Sequence, residues 1–296
     1  MASPGLSELL GAPVSAKLEL LQRTGSFKAR GAAAKLLALD EAERAAGVVA
    51  VSGGNHGIAV AVMARALDVG ATVVMPRSAP ARAVEVAEAA GARVRLCDGM
   101  DAAFALMGQM QSEGMTLLHP FDDPVVVAGQ GTVGLELAED AGELTDVLVS
   151  IGGGALISGV AAALRARRPD VRVWGVETEG AQAMSEALTK GGPMPVALSS
   201  IVSTLSAPSV SPLTYAHVSA LVHEVLVVPD AEAVRGTLDL AEHAKVWAEP
   251  AAGCLLPAAR RVRERVGGGA RLGLVLCGGN ATTADVAAWA ERFELR

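Results

Sequence analysis

The 296-residue sequence has few cysteines, few aromatic residues and no block of like charges, and each shortage excludes a class of protein. Its three cysteines, Cys97, Cys254 and Cys277, are far apart and odd in number, so it offers neither a disulfide framework nor a CxxC metal pair. A reducing, cytoplasmic setting is therefore expected. Aromatic residues make up 3% of the chain and the formal net charge is −7, which gives no basis for binding nucleic acid or an anionic membrane. The N-terminus also lacks the basic residues and apolar run of a signal peptide.

One uncharged stretch, residues 147–164, is long enough to raise the question of a membrane-spanning helix. Three adjacent glycines, Gly152, Gly153 and Gly154, would break a helix there. A strand, a loop and a helix are therefore predicted for this stretch, and no membrane span is expected.

Short β-rich runs alternate with helical patterns along the chain. An early strand that includes Lys17 is expected, and eight later strands are predicted at 48–52, 71–75, 93–97, 116–119, 146–151, 171–177, 224–228 and 271–277. Helices follow these strands, apart from a looser region after residue 190. This alternation predicts an α/β fold with open parallel sheets and helices on both faces. Nine strands would make one very wide sheet, so we expect two sheets in two lobes with a cleft between them.

Three glycine-rich turns follow predicted strands. The turn at 152–154 offers converging backbone N–H groups and a helix N-terminus, which suits a phosphate, but a tight turn that binds nothing is equally consistent with it. The turn at 52–57, SGGNHG, suits a carboxylate or serves only as a helix cap. A third turn, CGGN at 277–280, ends the last strand. Ligands of open α/β sheets bind beyond the carboxyl ends of strands, so the three turns predict one shared cleft.

The segment from Lys17 to Gly31, KLELLQRTGSFKARG, resembles the cofactor-lysine segment of fold-type II enzymes that use pyridoxal 5′-phosphate (PLP). Other motifs follow in the order and spacing of the serine/threonine dehydratase and serine racemase family. They are SGGNH at 52–56, HPF at 119–121, GQGT at 129–132, GGGAL at 152–156, EP at 249–250 and CGGN at 277–280. The resemblance covers nearly the whole chain. It implies a tryptophan synthase β-like fold, with a large PLP-binding domain at 1–46 and 122–296, a small substrate-gripping domain at 47–121, and a homodimer.

The resemblance also implies a role for each matching residue. Lys28 binds PLP covalently as an imine, as burial or positive neighbours can free its amine. Phe27 packs beside the pyridine ring, Asn55 hydrogen-bonds the ring hydroxyl, and Cys277 lies opposite the pyridine nitrogen. The implied phosphate cradle consists of Gly152, Gly153, Gly154, Ala155 and Leu156, and the implied substrate-carboxylate loop contains Ser52, Gly53, Asn55 and His56.

The activity implied is β-elimination from L-serine or L-threonine, which gives a 2-oxoacid and ammonia. The amine of Lys28 removes the Cα proton, and the PLP phosphate helps to protonate the departing hydroxyl. A thiol at Cys277 is a weak partner for the pyridine nitrogen, which favours elimination over a long-lived carbanion. The family's racemases have a proton-donating serine where this sequence has Gly53, so a dehydratase is expected, and Gly53→Ser should introduce racemase activity.

A cation site is also implied, because Glu177 matches the family's cation-binding glutamate and Ala181 would add a carbonyl. Ala183 stands where an acidic residue would suit magnesium, so potassium is the favoured ion. The alternative is an exposed glutamate at a helix start. The family normally has more chain before the segment that resembles residues 6–11, so the first strand and part of the dimer contact are expected to differ from the family's. A C-terminal regulatory domain, and with it feedback control by isoleucine, is not expected.

Several alternatives stay open from the sequence. The enzyme alternatives are a racemase, a hydroxyaspartate ammonia-lyase, or an elimination or replacement on a phenylserine or O-acetylserine. A non-catalytic PLP carrier on the same scaffold is a second class. A nucleotide-binding protein that uses the turn at 152–154 is a third, and its binding would survive loss of Lys28.

Overall fold

The structure, a computed structural model, describes residues 1–295 and contains two sheets in which every strand pair is parallel. The larger sheet contains β1 (Val14–Leu18), β6 (Asp146–Ser150), β7 (Arg172–Thr178), β8 (Glu224–Val228) and β9 (Leu272–Leu276). The smaller sheet contains β2 (Val48–Val51), β3 (Ala71–Pro76), β4 (Arg93–Cys97) and β5 (Thr116–Leu117). Their strand orders are β1-β9-β6-β7-β8 and β4-β3-β2-β5. The prediction of a two-sheet parallel α/β fold is confirmed.

Helices separate the strands along the chain. They are α1 (Pro4–Leu10), α2 (Lys28–Leu37), α3 (Glu41–Ala46), α4 (Asn55–Ala66), α5 (Ala81–Ala89), α6 (Met100–Ser112), α7 (Pro124–Asp140), α8 (Ala155–Arg167), α9 (Ala183–Lys190), α10 (Pro212–Leu221), α11 (Asp230–Asp239), α12 (Pro250–Gly253), α13 (Leu255–Val266) and α14 (Thr283–Arg292). A 3₁₀ turn covers Glu19–Leu21 and a π-helical turn covers Leu240–Ala244. Residues 191–211 form loops and turns, as expected after residue 190. Within residues 1–295, no helix is both long and apolar enough to span a membrane.

The central strands of the larger sheet explain why the chain folds this way. All five residues of β6 and all five of β9 are buried. Burial on both faces is typical of parallel strands that helices cover on each side. β5 is shorter than predicted and ends at Leu117, although the Leu118 N–H still donates to the Val49 carbonyl of β2 at 2.9 Å.

Side chains from the two lobes pack into one hydrophobic cluster. Ala32 and Leu36 of α2 and Val126 of α7 pack into the same buried cluster as Val48 and Val60 of the smaller lobe. The strands of the smaller sheet all lie between 48 and 117. The domain limits at 47 and 121, like the homodimer and the cytoplasmic location, remain predictions.

Close helix packing sets the position of α2, which begins at Lys28. Gly159 of α8 faces α7, where an added Cβ would lie 2.5 Å from the backbone nitrogen of Gly131. Only glycine permits so close an approach. On the other side of α7, a Cβ on Gly129 would lie 2.8 Å from the Cα of Gly31 in α2. Glycines therefore bring α2, α7 and α8 together.

An ion-pair network fixes α2 from its other side. The guanidinium of Arg30 donates to both carboxylate oxygens of Glu19, at 2.7 and 2.8 Å, and to both of Glu136 on α7, at 2.6 and 2.7 Å. Lys17 of β1 also pairs with Glu136. Since Glu19 is buried and Arg30 is nearly so, these charges tie α2 to β1 and α7 at the point where Lys28 emerges.

Candidate active site

The three glycine-rich turns lie at the carboxyl ends of their strands, and the segment before Lys28 pairs with one of them. Ser26 forms an antiparallel bridge with Gly278, and the Phe27 N–H donates to the carbonyl of Cys277 at 3.0 Å. The Gly279 N–H donates to the carbonyl of Gly25 at 2.9 Å. This pairing places the start of α2, and so Lys28, beside the end of β9.

Lys28 is a partly buried amine at the first residue of α2. Its Nζ donates to the Pro120 carbonyl at 2.9 Å and lies 5.1 Å from the centre of the Phe27 ring. Burial lowers the pKa of Lys28 from 10.5 to about 8. A considerable fraction of Lys28 is therefore neutral at mildly alkaline pH.

Cys277 follows the last residue of β9 and is buried. Its Sγ lies 3.8 Å from the Ser150 hydroxyl, which makes a short hydrogen bond to the Ala251 carbonyl. Burial, strengthened by the nearby Glu249 carboxyl group, raises the pKa of the Cys277 thiol well above its usual value. The thiol therefore stays protonated and brings no negative charge to the site.

The turn after β6 has the features of an anion site. Gly154 has a φ of 94°, in the left-handed region that favours glycine, and α8 begins directly after it. Within residues 1–295, no side chain caps this helix N-terminus, and the buried hydroxyl of Ser158 has no hydrogen-bond partner. A Cβ on Gly153 would overlap the Phe121 ring. Unpaired backbone N–H groups at a helix N-terminus favour a phosphate.

The turn after β2 holds Asn55 between two other segments. The Asn55 Nδ2 donates to Glu249, at 2.8 Å to Oε1 and 3.1 Å to Oε2, and its Oδ1 accepts from Asn280 Nδ2 at 2.7 Å. The Ser52 hydroxyl accepts from the Gly54 N–H at 3.2 Å. Within the described chain, no side chain caps α4, so the interpretation of this turn as a Ser/Asn helix cap is wrong.

His56 lies in the same turn, and its imidazole ring does not act as a charged hydrogen-bond donor. Its Nε2 lies 2.8 Å from the Leu118 carbonyl, which only accepts, so Nε2 carries the proton. Burial lowers the pKa of His56 to about 3, and Lys28 adds to the effect. The ring is neutral at physiological pH, and its Nδ1 has no proton to donate.

Comparison with known proteins identifies the family. The model of the pyridoxal-phosphate dependent enzyme family matches residues 1–278. The chain belongs to this family. It is 40% identical over 278 residues to the L-threonine ammonia-lyase of Thermotoga maritima, covering 93% of this chain and 69% of that one. It is 39% identical to the phenylserine dehydratase of Ralstonia pickettii, covering 94% and 86%.

Solved structures agree with this result. The structure of maize serine racemase matches with a TM-score of 0.90 and 33% identity, covering 99% of this chain and 91% of that one. The family resemblance, the fold and the use of PLP that the sequence predicted are therefore confirmed.

The residues present fit PLP. An amine with a lowered pKa, Lys28, is the kind of group that forms an imine with an aldehyde. The glycine turn before α8 provides the N–H groups for a phosphate, and the unpartnered hydroxyl of Ser158 lies one turn into the same helix. The roles that the resemblance implies for the individual site residues, among them Phe27, Ala155 and Leu156, stay predictions.

Three polar residues of the site had no role in the sequence analysis: Ser150, Glu249 and Asn280. Glu249 and Asn280 stood in motifs that resemble the family, and Glu249 could have been singled out because it is the one charged residue in the stretch 246–259. The contact of Glu249 with Asn55 spans 194 residues, which no local pattern reveals.

Glu177 lies at the end of β7 and is fully buried, so the alternative of an exposed glutamate at a helix start is wrong. Its Oε1 accepts from the Met184 N–H at 2.8 Å, and its Oε2 accepts from the Ser185 N–H and hydroxyl at 2.9 and 2.7 Å. Burial raises the pKa of Glu177 to about 7 despite these bonds. Glu177 therefore binds the first turn of α9. Residues 1–295 contain no group of three or more His, Cys, Asp or Glu side chains arranged for a metal, and potassium at Glu177 and Ala181 stays a prediction.

Proposed function

We propose that this PLP enzyme catalyses β-elimination of the hydroxyl from L-threonine or L-serine and releases ammonia and a 2-oxoacid. The observation that carries the proposal is Lys28, a partly buried amine with a pKa near 8 that follows a segment paired with the glycine turn at 277–280. Relatives at about 40% identity that are named for such eliminations support it.

When bound, PLP supplies the electron sink that makes the Cα–H bond of the amino acid acidic. Lys28 then acts as the base, because an amine with a pKa near 8 can accept a proton at Nζ and return it. The Pro120 carbonyl, 2.9 Å from Nζ, orients that amine. As the Cα proton moves to Nζ, the electron pair of the Cα–H bond forms a Cα–Cβ double bond, and the Cβ–O bond breaks. The electron pair of the Cβ–O bond leaves with the hydroxyl, which takes up a proton to become water. The released enamine rearranges to an imine, and one water molecule hydrolyses its C=N bond to give the 2-oxoacid and ammonia.

Two residues favour elimination over racemisation. Cys277 keeps its proton and would therefore place no negative charge beside the cofactor ring, which would weaken the electron sink and disfavour chemistry that needs long-lived negative charge at Cα. Gly53 has no side chain that could return a proton to Cα. In this proposal the loss of the hydroxyl is therefore faster than reprotonation.

The substrate carboxylate is proposed to bind at the start of α4, in the turn that contains Ser52, Gly53, Asn55 and His56. The first N–H groups of a helix have no intrahelical acceptor, and the helix dipole favours an anion there. Because the His56 ring is neutral and its only N–H is used by Leu118, His56 contributes its backbone N–H. The hydroxyl of Ser52 adds one donor.

The experiment is a 2-oxoacid assay on PLP-loaded enzyme with L-serine, L-threonine and their D-isomers. L-threo-3-hydroxyaspartate, phenylserine and O-acetylserine are tested in parallel, each with and without potassium or magnesium. We expect turnover of an L-hydroxy amino acid, and none by Lys28→Ala. If the wild-type enzyme binds PLP but eliminates from none of these substrates, the proposal fails and a PLP carrier becomes the better description.

A dianionic substrate is less well supported, because hydroxyaspartate needs a second cation near the side chain. Arg77 lies just after β3, but its Nε donates to Asp98 at 2.7 Å and both side chains are exposed. The carboxylate of Asp98 therefore already pairs with the charge of Arg77. We therefore expect L-threonine or L-serine to be preferred over hydroxyaspartate in the same assay.

A further inference from the structure

Glu249 is a buried acid in the site that the proposed reaction does not use. It immediately precedes α12, and its N–H donates to the Gly278 carbonyl at 3.1 Å. A Cβ on Gly278 would lie 2.7 Å from the Glu249 Oε1, so glycine at 278 allows the carboxyl group to approach the third turn. Burial raises the pKa of Glu249, while hydrogen bonds from Asn55, Thr204 and the Asn280 backbone oppose the shift. A buried acid held this firmly is expected to have a function beyond filling space.

Only one assignment of donors and acceptors is consistent with the hydrogen bonds around Asn55. The Thr24 carbonyl can only accept, so the Asn280 group 2.8 Å away must be its NH₂. The same Nδ2 lies 2.7 Å from the Asn55 side chain, which must therefore present its oxygen to Asn280. The Asn55 NH₂ group then faces Glu249. The orientation of the Asn55 amide follows from these partners alone.

One N–H of Asn55 is left over. The two oxygens of one carboxylate lie close together, whereas the two N–H bonds of an amide diverge widely. A single N–H therefore serves both Glu249 oxygens, at 2.8 and 3.1 Å. Neither Glu249 nor Asn280 can take the second N–H.

We propose that Glu249 is a positioning residue: it holds one N–H of the Asn55 amide so that the other N–H points to the ring hydroxyl of PLP. This inference rests on the proposed function and on the role that the family resemblance implies for Asn55, a hydrogen bond to that hydroxyl. The contact also crosses between lobes, because Asn55 begins α4 after β2 of the smaller sheet, whereas Asn280 follows β9 of the larger sheet. Glu249 therefore couples the placement of α4 to the site of the cofactor.

The test compares Glu249→Ala with Glu249→Gln, in holoenzyme and in apoenzyme titrated with PLP. Glutamine keeps a side-chain oxygen that can accept from Asn55, so it should rescue most of the function. We expect Glu249→Ala to weaken PLP binding and to lower kcat by about tenfold to a hundredfold, as when a buried amide N–H loses its acceptor. The visible absorption band of the lysine-bound cofactor should shift in Glu249→Ala and stay in place in Glu249→Gln.

A double-mutant cycle with Asn55→Ala separates positioning from a general effect on the fold. If Glu249 acts through Asn55, Glu249→Ala should cause no further loss of PLP affinity in the Asn55→Ala background. Equal losses in both backgrounds, or equal losses for Glu249→Ala and Glu249→Gln, would overturn the inference. Should Glu249→Ala not fold, Asn280→Ala removes the other contact of the amide and should shift the same absorption band, and an unshifted band would count against positioning.

The wild-type enzyme distinguishes this inference from the proposed function. A wild-type chain that forms no lysine-bound cofactor overturns both. A wild-type chain that binds PLP and releases a 2-oxoacid, while Glu249→Ala behaves identically, overturns only the positioning role of Glu249.

Discussion

Substituting serine at Gly53 tests both the packing of the substrate turn and the reason for expecting elimination. A Cβ on Gly53 would lie 2.7 Å from the Cβ of Ala79 and 3.5 Å from Cδ of Pro76. Carbon atoms pack best at about 3.5–4.0 Å, so the contact with Ala79 is too close by about 1 Å. Either the turn or the loop after β3 must shift. We expect Gly53→Ser to lower the free energy of unfolding by about 1–3 kcal/mol, as overpacking does.

Removing the opposing methyl group should relieve the strain. Ala79→Gly alone should cost about 0.5–1 kcal/mol, because glycine loses more backbone entropy on folding. The double variant Gly53→Ser, Ala79→Gly should then lose less free energy of unfolding than the two single variants lose together, because the new side chain at 53 contacts residue 79. Gly70→Ala is a matched control, because its Cβ would meet no atom of residues 1–295 within 4 Å and should change stability by less than about 0.5 kcal/mol.

The assay is urea unfolding of each variant, followed by measurement of D-serine and 2-oxoacid formed from L-serine by the PLP-loaded enzyme. The single variant should be destabilised and the double variant should yield D-serine, because the new hydroxyl can return a proton to Cα. If Gly53→Ser is as stable as the wild type, the steric argument is refuted. If the double variant is folded and fully loaded with PLP but forms no D-serine, the assignment of the missing proton donor to Gly53 is refuted.

The remaining predictions concern Lys28, one buried ion pair and one helix contact. Because burial brings the pKa of Lys28 to about 8, the rate at which the apoenzyme captures PLP should rise with pH up to about 8 and then level off, and stopped-flow rates that are flat across that value would contradict this. Glu19→Ala should lower the free energy of unfolding by about 1.5–3 kcal/mol, because the nearly buried Arg30 loses one of its two bidentate partners and keeps Glu136. A loss below about 1 kcal/mol in urea titrations would show that the pair is dispensable. Gly159→Ala should lower the free energy of unfolding by about 1–3 kcal/mol or more. Gly108→Ala in α6, where the new methyl group meets open space, should raise it by about 0.5–1 kcal/mol. Equal melting temperatures for the two variants would contradict the packing argument.

The fold could be predicted from the sequence because its main determinants are local. The apolar runs at β6 and β9 are buried on both faces, and such runs alternate with helical patterns over most of the chain. The pairing of β1 with β9, across more than 250 residues, has no local sequence signature. Strand ends also differed by one or two residues, as at β5, because tertiary contacts decide where a ladder stops.

The site was partly predictable for the same reason. Glycine turns and the lysine segment are short patterns, so their residues could be named. The proton on His56 depends on the carbonyl of Leu118, and the orientation of Asn55 depends on Glu249 and Asn280, which are distant in sequence. These partners converge only when the two sheets are placed side by side. Sequence patterns therefore indicated which residues meet, whereas the direction of each hydrogen bond required the structure.

Burial shifts the pKa values of three ionisable groups in the site, and each shift favours the uncharged form. Burial lowers the pKa of Lys28 and raises the pKa of Cys277 and of Glu249, so each of the three groups is shifted toward its uncharged form. The favourable fields for anions then come from the N-termini of α8 and α4, where backbone N–H groups are fixed by the fold. In the proposed function, these two helix ends bind a phosphate and a carboxylate, and the Lys28 amine stays free to accept a proton. A cation placed permanently in the cleft would strengthen anion binding, but it would also lower the pKa of Lys28 further and weaken the base. Binding anions through backbone dipoles avoids that conflict.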